Sequence, residues 1–449
     1  MLSCGKPAGE HSRAAGSWNA NRMLSYCKRR CLEVEDWVRY HPRIRHWICR
    51  LKLCRPRPLN VQTIVQLCAA ARLADDEELE RRIQELIVRC VRHLDPSRLD
   101  WTKLVPDFDD RRIYKAAILK PWLEPNEKGI VFISFEGQWI RLLNQKNPRE
   151  FADRYTIVIA PSSSPHNLVN YVFPLAYPAP IFTLISNARD LQVLPRVSNR
   201  LHVAPLYASH WVNPDLFEPL PRADRPYDLI MVASWGKVKR HHALFSALRS
   251  MPKDLRVLLV GQDQEGRSAD TIRALARGYG VEDRFTILTN QPYREVTKLF
   301  CQARATIVLS KREGSCVVVA ESLFADTPVA LLRGAVIGST VFLNEQTGRF
   351  LDENNLSSTL TDFVATADRY RPRAWAEQNI SCWRTTQILN DLLKQEAVQR
   401  GQAWTQDLAP LQWSPDPQLA RAEDRQRLAA ERIEIATRFG LEIGPPPLQ

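Results

Sequence analysis

The 449-residue sequence lacks an apolar segment long enough to cross a membrane. No uncharged apolar run approaches the roughly 18 residues that a transmembrane helix requires, so we expect no membrane-spanning helix. The N-terminal stretch MLSCGKPAGEHSRAAGSW also lacks the apolar core of a secretory signal peptide. Both absences predict a cytoplasmic protein.

The sequence also lacks the closely spaced cysteine pairs from which protein zinc sites are commonly built. Seven of the ten cysteines precede residue 91, but Cys27 and Cys31 are four positions apart, and Cys49 and Cys54 are five apart. Neither spacing is CxxC. The spacing therefore predicts no bound metal. The cysteines of a cytoplasmic protein are expected to be reduced thiols.

Basic residues are plentiful and are concentrated at the N-terminus. The net charge is +12, and residues 1–60 hold 13 Lys or Arg against 4 Asp or Glu. Arginine and tryptophan are interleaved through residues 37–58, WVRYHPRIRHWICRLKLCRPRP. Three interpretations fit this composition: a solvated basic face on a helical subdomain, contact with anionic lipid, or binding of nucleic acid. The second would place the protein at the inner face of the membrane.

Apolar spacing divides the chain into four regions. Helical spacing prevails at first and is clearest over residues 75–94. Short continuous apolar runs, typical of strands buried on both faces, then begin at residue 129. We predict a basic helical region (1–125), a first Rossmann-like domain (126–225), a second Rossmann-like domain (226–400) and a C-terminal tail with a helix (401–449).

The second predicted α/β domain has the more regular alternation. Its five predicted strands lie at residues 228–234, 256–261, 284–288, 305–310 and 328–332. Helical segments with short connections separate them, which predicts a parallel sheet covered on both faces. The preceding segment 213–225 contains three prolines and is expected to link the two domains.

One strand–loop–helix–strand unit in the second domain has features of a ligand site. Residues 311–329 read KREGSCVVVAESLFADTPV, with Glu313 in the loop and Glu321 eight positions later on the helix. Parallel sheets bind ligands outside the carboxyl ends of their strands. Backbone N–H groups that begin the helix lack intrahelical partners and suit a phosphate. The two carboxylates suit sugar hydroxyls approaching from the same side.

These residues resemble a known family. The sequence EGSCVVVAE, followed by ADTPVALLRG, resembles the EG…E…GxPV signature of group 1 (family 4) retaining glycosyltransferases. Residues 231–248, 256–266 and 330–351 resemble other ordered segments of that family. The resemblance covers about residues 227–352, is faint over 129–226 and is absent over 1–125.

The resemblance implies an α/β protein with the GT-B fold, which has two facing Rossmann-like domains, here with an extra helical N-terminal region. It also implies a hexosyltransferase of polysaccharide biosynthesis that moves a hexose from a UDP- or GDP-linked sugar to a glycan or lipid-linked acceptor. The nucleotide sugar would be a substrate, and no cofactor is expected.

The resemblance further implies how the donor diphosphate is bound. Lys239 aligns with the family's diphosphate-binding lysine, and Arg240 is adjacent to it. The family usually has an arginine where Ser234 stands in this chain. Either Arg240 or Lys237 is therefore expected to supply the second positive charge, or the donor is held differently.

The remaining donor contacts are implied in the same way. Glu313 would contact the sugar hydroxyls and Glu321 the ribose, while Asn290 would lie near the base. Gly261 matches the family's glycine at a strand end. Backbone N–H groups to the sugar or phosphate would come from Gly314, Ser315 and Cys316.

The first domain is expected to bind the acceptor. Glu136 and Gly137 follow its first predicted strand, where the family's acceptor loop would lie. His166, with Ser162 to Ser164, follows the second strand and is a candidate to assist the acceptor hydroxyl or to orient phosphate. The expected catalytic residues are thus Lys239, Glu313 and His166.

Parts of the sequence also suit other functions. A metal-dependent GT-A enzyme requires an Asp-x-Asp motif after a strand, and Asp107-Phe108-Asp109 follows Pro106 outside any predicted strand. The substitution at Ser234 and the weak resemblance in the first domain would also suit a non-catalytic GT-B-like scaffold that works through its basic N-terminal region. Nucleic-acid binding by residues 1–60 is a third alternative.

Overall fold

The computed structural model describes residues 11–54, 58–74, 76–105, 108–162, 166–414 and 416–444. The N-terminal region is helical, as predicted: α1 (His11–Tyr40), α2 (Pro42–Leu53), α3 (Val61–Ala71), α4 (Glu77–Val91) and α5 (Trp101–Leu104). The predicted helix over residues 75–94 is therefore confirmed as α4. Its N-terminus is capped by the Asp76 carboxylate, which accepts a hydrogen bond from the Leu79 N–H at 2.8 Å.

The first α/β domain is built on a five-stranded sheet. Its elements are β1 (Arg112–Ile113), β2 (Ala116–Lys120), β3 (Gly129–Ser134), α6 (Glu136–Trp139), α7 (Pro148–Arg154), β4 (Tyr155–Ala160), α8 (Leu168–Ala176), β5 (Ile181–Thr183), α9 (Asp190–Val197) and β6 (Leu201–Val203). The sheet order is β2-β3-β4-β5-β6, with β2 antiparallel to β3 and the other pairs parallel.

The edge strand β2 corrects the prediction that residues 1–125 are helical. All five of its residues, AAILK, are buried, and they pair with β3. Alanine, leucine and lysine favour helices in isolation, so tertiary packing overrides the local preference here. The predicted boundary at residue 125 falls between two strands of one sheet.

The second α/β domain matches its prediction closely. Its elements are β7 (Leu229–Val232), α10 (His241–Leu248), β8 (Val257–Gly261), α11 (Ala269–Tyr279), β9 (Phe285–Thr289), α12 (Tyr293–Cys301), β10 (Thr306–Val308), α13 (Val317–Phe324), β11 (Val329–Leu332) and β12 (Gly348–Leu351). All strands are parallel, in the order β12-β11-β10-β7-β8-β9. The strand order reverses between β10 and β7, which is the point where open parallel sheets bind ligands.

The first two helices of the C-terminal part pack on the second domain, and the elements that follow return to the first domain. The C-terminal part contains α14 (Leu356–Ala365), α15 (Pro372–Asn379), α16 (Cys382–Gln399), β13 (Leu411–Gln412), β14 (Gln418–Leu419), α17 (Ala422–Arg427), α18 (Ala429–Phe439) and β15 (Glu442–Ile443). β15 pairs with β1, and the buried carboxylate of Glu127 accepts the Thr405 N–H at 2.7 Å. The residues predicted as a separate tail thus complete the first domain.

A continuous apolar core joins the N-terminal helices to the first sheet. Ile64 and Ile83, from α3 and α4, are completely buried in the same cluster as Val131 of β3 and Phe439 of α18. The predicted division at residue 125 therefore marks no break in packing. The predicted fold class, two Rossmann-like domains with extra N-terminal helices, is confirmed. Within the described residues, no helix is both long and apolar enough to span a membrane.

Candidate functional site

Two predicted site residues meet at the point where the strand order of the second sheet reverses. Lys239 follows β7 and Glu313 follows β10, so each side chain leaves the carboxyl end of one of the two central strands. The Lys239 Nζ lies 2.5 Å from the Glu313 Oε1. The sequence predicted that these two residues share a site, and their side chains are in direct contact.

The electrostatics of this pair keep the lysine charged. Burial lowers the pKa of Lys239, but the nearby Glu313 carboxylate offsets this, and the net pKa lies above its usual value. Both side chains retain some access to solvent, 24% for Lys239 and 13% for Glu313. A partly accessible ammonium group is thus placed where an anionic ligand can reach it.

The loop after Glu313 is held in a fixed conformation. Cys316 adopts a left-handed backbone conformation, with φ of 54°, directly before helix α13. The Gly338 N–H donates to the Gly314 carbonyl at 2.7 Å, and the Glu313 N–H donates to the Val336 carbonyl at 3.1 Å. These contacts present the first turn of α13, whose N–H groups lack intrahelical partners, at the same edge of the sheet as Lys239.

Glu321 lies about one turn along α13 and is 5% exposed. Burial raises the pKa of its carboxyl group, while the hydroxyls of Tyr293 and Ser414 lower it. Ser414 belongs to the returning C-terminal segment, a neighbour that the sequence could not reveal. The predicted contact between Glu321 and a ribose stays a prediction.

The other cations near Lys239 are already paired. Arg240 is 2% exposed, and its guanidinium contacts the carboxylates of Asp36, at 2.7 Å, and of Glu353. Lys237 Nζ lies 3.2 Å from Glu35. Both Asp36 and Glu35 belong to α1. The structure therefore directs these two cations toward the N-terminal helix, and it directs Lys239 toward Glu313. The Ser234 hydroxyl instead hydrogen-bonds the Gln264 side chain.

Gly261 and Asn290 lie next to each other at the ends of β8 and β9. The Asn290 N–H donates to the Gly261 carbonyl at 2.8 Å. A Cβ at Gly261 would lie 2.4 Å from the Ala233 carbonyl and 2.7 Å from the Trp235 ring. Close packing against the neighbouring strand therefore requires a glycine at this position, whether or not a ligand binds there. The predicted contact between Asn290 and a base stays a prediction.

Comparison with known proteins identifies the second domain. Residues 212–367 match the family model of "Glycosyl transferases group 1". Residues 212–367 therefore form a group 1 glycosyl transferase domain. The predicted family and the predicted enzyme class, a glycosyltransferase, are thereby confirmed, and the reaction is glycosyl transfer. No curated protein matches the chain.

Solved glycosyltransferase structures show weak similarity to the chain. Sucrose-phosphate synthase from Thermosynechococcus elongatus is 18% identical, with a TM-score of 0.47, over 60% of this chain and 74% of that one. The pneumococcal O-GlcNAc transferase GtfA, solved with UDP and GlcNAc, is 13% identical, with a TM-score of 0.42, over 60% and 57%. Anabaena HepE, solved with UDP, is 14% identical, with a TM-score of 0.43, over 55% and 74%. The family match, and not these similarities, identifies the domain.

Of the two predicted acceptor-side residues of the glycosyltransferase, Glu136 is buried and Gly137 is exposed. Glu136 is 5% exposed, and its carboxylate accepts the Ser162 N–H at 3.3 Å. Burial raises the pKa of Glu136. A Cβ at Gly137 would meet no atom within 4 Å, so packing does not require a glycine there. Ser163, Ser164 and the earlier candidate Asp107 lie outside the described residues.

His166 is packed against the N-terminal helices. Its Nε2 lies 2.5 Å from the Glu80 carboxylate of α4, and its Nδ1 lies 3.1 Å from the Tyr171 hydroxyl. Burial lowers the pKa of His166 to about 4, which favours a neutral imidazole at pH 7. Glu80 in turn contacts the Arg189 guanidinium. The predicted catalytic role of His166 stays a prediction.

The two domains contact each other beside the Glu313 loop, a feature that was not predicted. The Ser209 N–H donates to the Ser315 hydroxyl oxygen at 2.7 Å, and the Ser315 hydroxyl donates to the Ser209 Oγ at 2.7 Å. Gly338 lies so close to the first domain that a Cβ would be 2.2 Å from the Ser186 carbonyl. Gly338 lies within residues 330–351, a segment that resembles the family.

Proposed function

We propose that the protein transfers a hexose from a UDP- or GDP-linked sugar to a glycan or lipid-linked acceptor, with retention of the anomeric configuration. The contact between Lys239 and Glu313 at the strand-order reversal carries this proposal. In this proposal, the Lys239 cation binds the diphosphate and the adjacent Glu313 carboxylate binds the sugar. The group 1 family match supports the assignment.

In this proposal, Lys239 stabilises the leaving diphosphate. The bond between the anomeric carbon and the phosphate oxygen breaks, and negative charge accumulates on that oxygen. The Lys239 ammonium and the N-terminal N–H groups of α13 supply positive charge without having to reorganise. The pair with Glu313 holds the ammonium in place before the donor binds.

Glu313 would accept hydrogen bonds from the hydroxyls of the donor sugar. The new bond forms between the acceptor oxygen and the anomeric carbon on the face that the diphosphate leaves. The acceptor's proton passes to the departing phosphate oxygen, so the step requires no protein base. This is consistent with a neutral His166 that is hydrogen-bonded to Glu80.

The test is donor turnover by the full-length protein. We expect calorimetry to detect UDP or GDP binding, and mass spectrometry of a panel of UDP- and GDP-sugars to reveal one donor that is consumed. Proton NMR of the first product should show the anomeric configuration of the donor. An inverted product would contradict the retaining mechanism. Failure to bind any nucleotide would favour the non-catalytic scaffold.

The exposed surface of α1 and α2 supports the proposed contact with a membrane. Trp37 is 57% exposed and Trp47 is 63% exposed. Further exposed apolar side chains on these helices are Met23, Tyr26, Val34, Val38 and Leu51. Exposed basic side chains accompany them: Lys28, Arg30, Arg39, Arg43, Arg50 and Lys52. Exposed aromatic residues among cations suit the interface of an anionic bilayer.

Replacing both tryptophans tests this contact. We expect Trp37→Ala/Trp47→Ala to lower flotation with vesicles that contain anionic lipid by roughly fivefold or more, because two interfacial side chains are lost. Ile433→Ala is the control, since Ile433 is 67% exposed and lies on α18. Equal flotation of the wild type and the double variant would count against membrane contact through α1 and α2.

A further inference from the structure

A groove of about 300 Å³ runs between helices α4 and α9. Four arginines line it together with two other polar residues: Arg81, Arg89, Arg92, Arg196, Gln84 and Glu85. The Gln84 amide donates to the Val193 carbonyl at 2.7 Å and thereby joins the two helices. The groove thus has a fixed floor and a rim that is rich in guanidinium groups.

The positive charge in this groove is not balanced by the protein. Arg81 pairs with Glu78, at 2.8 Å, and with Glu85. The other three, Arg89, Arg92 and Arg196, have no acidic partner among the residues that the structure describes. Because like charges repel at close range, three guanidinium groups that share a groove are more stable with a bound anion.

Both helices begin at the edge of the first sheet that faces the donor domain. The Asp190 carboxylate, in the first turn of α9, accepts the Ser186 N–H at 2.6 Å, and the Ser186 carbonyl faces Gly338. At 1.5 Å per residue, Arg196 lies about 9 Å from Asp190 along α9. The groove therefore leads outward from the contact between the two domains.

On α4, the corresponding distance is measured from Glu80, which contacts His166 and Arg189 of the first domain. Arg89 lies nine residues further along, or about 14 Å from Glu80 along the helix axis. A ligand that passes Asp190 and Glu80 would need anionic groups about 9 to 14 Å further along to reach these arginines. An extended chain has this form, whereas a compact small molecule does not.

We propose that this groove binds the oxyanion groups of an anionic glycan acceptor, namely phosphate, sulfate or carboxylate groups along an extended chain. The assignment to an acceptor rests on the proposed sugar transfer. Arginine forks bind such oxyanions in a bidentate manner, which suits three guanidinium groups around one groove. A lipid surface fits less well, since the groove is concave and the exposed tryptophans lie on α1 and α2.

The test compares two variants of equal charge. The groove variant is Arg89→Ala/Arg92→Ala/Arg196→Ala. The control is Arg82→Ala/Arg149→Ala/Arg249→Ala, which removes three exposed arginines that do not line the groove. The probes are a heparin tetrasaccharide, inorganic tripolyphosphate and vesicles with anionic lipid, each titrated into full-length protein at two salt concentrations. Thermal unfolding checks that each variant is folded.

We expect the groove variant to bind the tetrasaccharide at least 30-fold more weakly than the wild type, and the control to stay within about threefold, because salt-dependent attraction by the whole surface is equal in the two variants. Equal loss in both variants would overturn the proposal. So would a groove variant that loses only vesicle binding, or only tripolyphosphate binding.

Donor turnover by the wild type separates this inference from the proposed function. If the wild type consumes no nucleotide sugar but binds the tetrasaccharide through the groove arginines, the proposed function fails and the anion site stands. If the wild type consumes a donor and the groove variant binds the tetrasaccharide normally, sugar transfer stands and the groove proposal fails.

Discussion

Replacing Lys239 by alanine is expected to lower kcat/KM for sugar transfer by about two to three orders of magnitude. Removal of one preorganised group that stabilises developing charge typically costs about 3–4 kcal/mol in the transition state. Lys239 is the cation that contacts Glu313 at the strand-order reversal, whereas Arg240 and Lys237 are paired with acids of α1. Neither of these two cations is therefore poised to replace it.

Lys237→Ala provides the matched control for this substitution. Lys237 lies two residues away in the same loop and has the same chemistry, but its Nζ contacts Glu35 and is more exposed. We expect Lys237→Ala to reduce kcat/KM by less than about threefold, since exposed ion pairs contribute little energy. Equal losses in the two variants would show that the loop conformation, and not the Lys239 charge, is required.

A second substitution distinguishes binding from catalysis. Lys239→Arg keeps the positive charge but changes the shape of the side-chain cation. We therefore expect it to retain part of the activity that Lys239→Ala loses. Calorimetry with UDP or GDP should show weaker binding for Lys239→Ala, because the diphosphate loses one charged partner. Unchanged nucleotide affinity together with unchanged kcat would remove Lys239 from the site.

The second domain could be predicted from the sequence because its signals are local. Each of its five predicted strands is a short apolar run, and the helices between them follow with short connections. The contact between Lys239 and Glu313 follows from the same pattern, since both residues lie in the connections that follow neighbouring strands. Residues at equivalent positions in a parallel sheet share one edge.

Partners that are distant in the sequence could not be predicted. Arg240 pairs with Asp36, about two hundred positions earlier, and His166 pairs with Glu80. Such pairs depend on where the N-terminal helices pack, and helical spacing alone does not determine that. The same limit explains why Arg240 was expected to bind the donor diphosphate, although its guanidinium is buried against α1 and Glu353.

These distant pairs give the N-terminal region a structural role that its composition did not indicate. Asp36 on α1 binds the second domain through Arg240, while Glu80 on α4 binds the first domain through His166. One set of helices thus contacts both domains across the cleft. The relative position of the domains is fixed from outside by these helices and from inside by the contact between Ser209 and Ser315.

Gly338→Ala is expected to disrupt this interdomain contact and to lower kcat/KM by about a hundredfold. The new Cβ would lie 2.2 Å from the Ser186 carbonyl and 3.0 Å from the Tyr207 ring, both in the first domain. A backbone carbonyl cannot rotate away like a side chain, so the two domains must separate. A displacement of about 1 Å between reacting groups can reduce the rate by this factor.

Gly280→Ala controls for loss of stability in this experiment. Gly280 caps α11 with a φ of 70°, and a Cβ there would meet no atom within 4 Å. We expect both variants to lower the free energy of unfolding by about 1–3 kcal/mol, through overpacking at Gly338 and backbone strain at Gly280. Only Gly338→Ala should also reduce transfer, and small-angle scattering should show a more open molecule. If Gly338→Ala retained full activity with an unchanged scattering profile, the catalytic arrangement would not depend on close approach of the domains at Ser186.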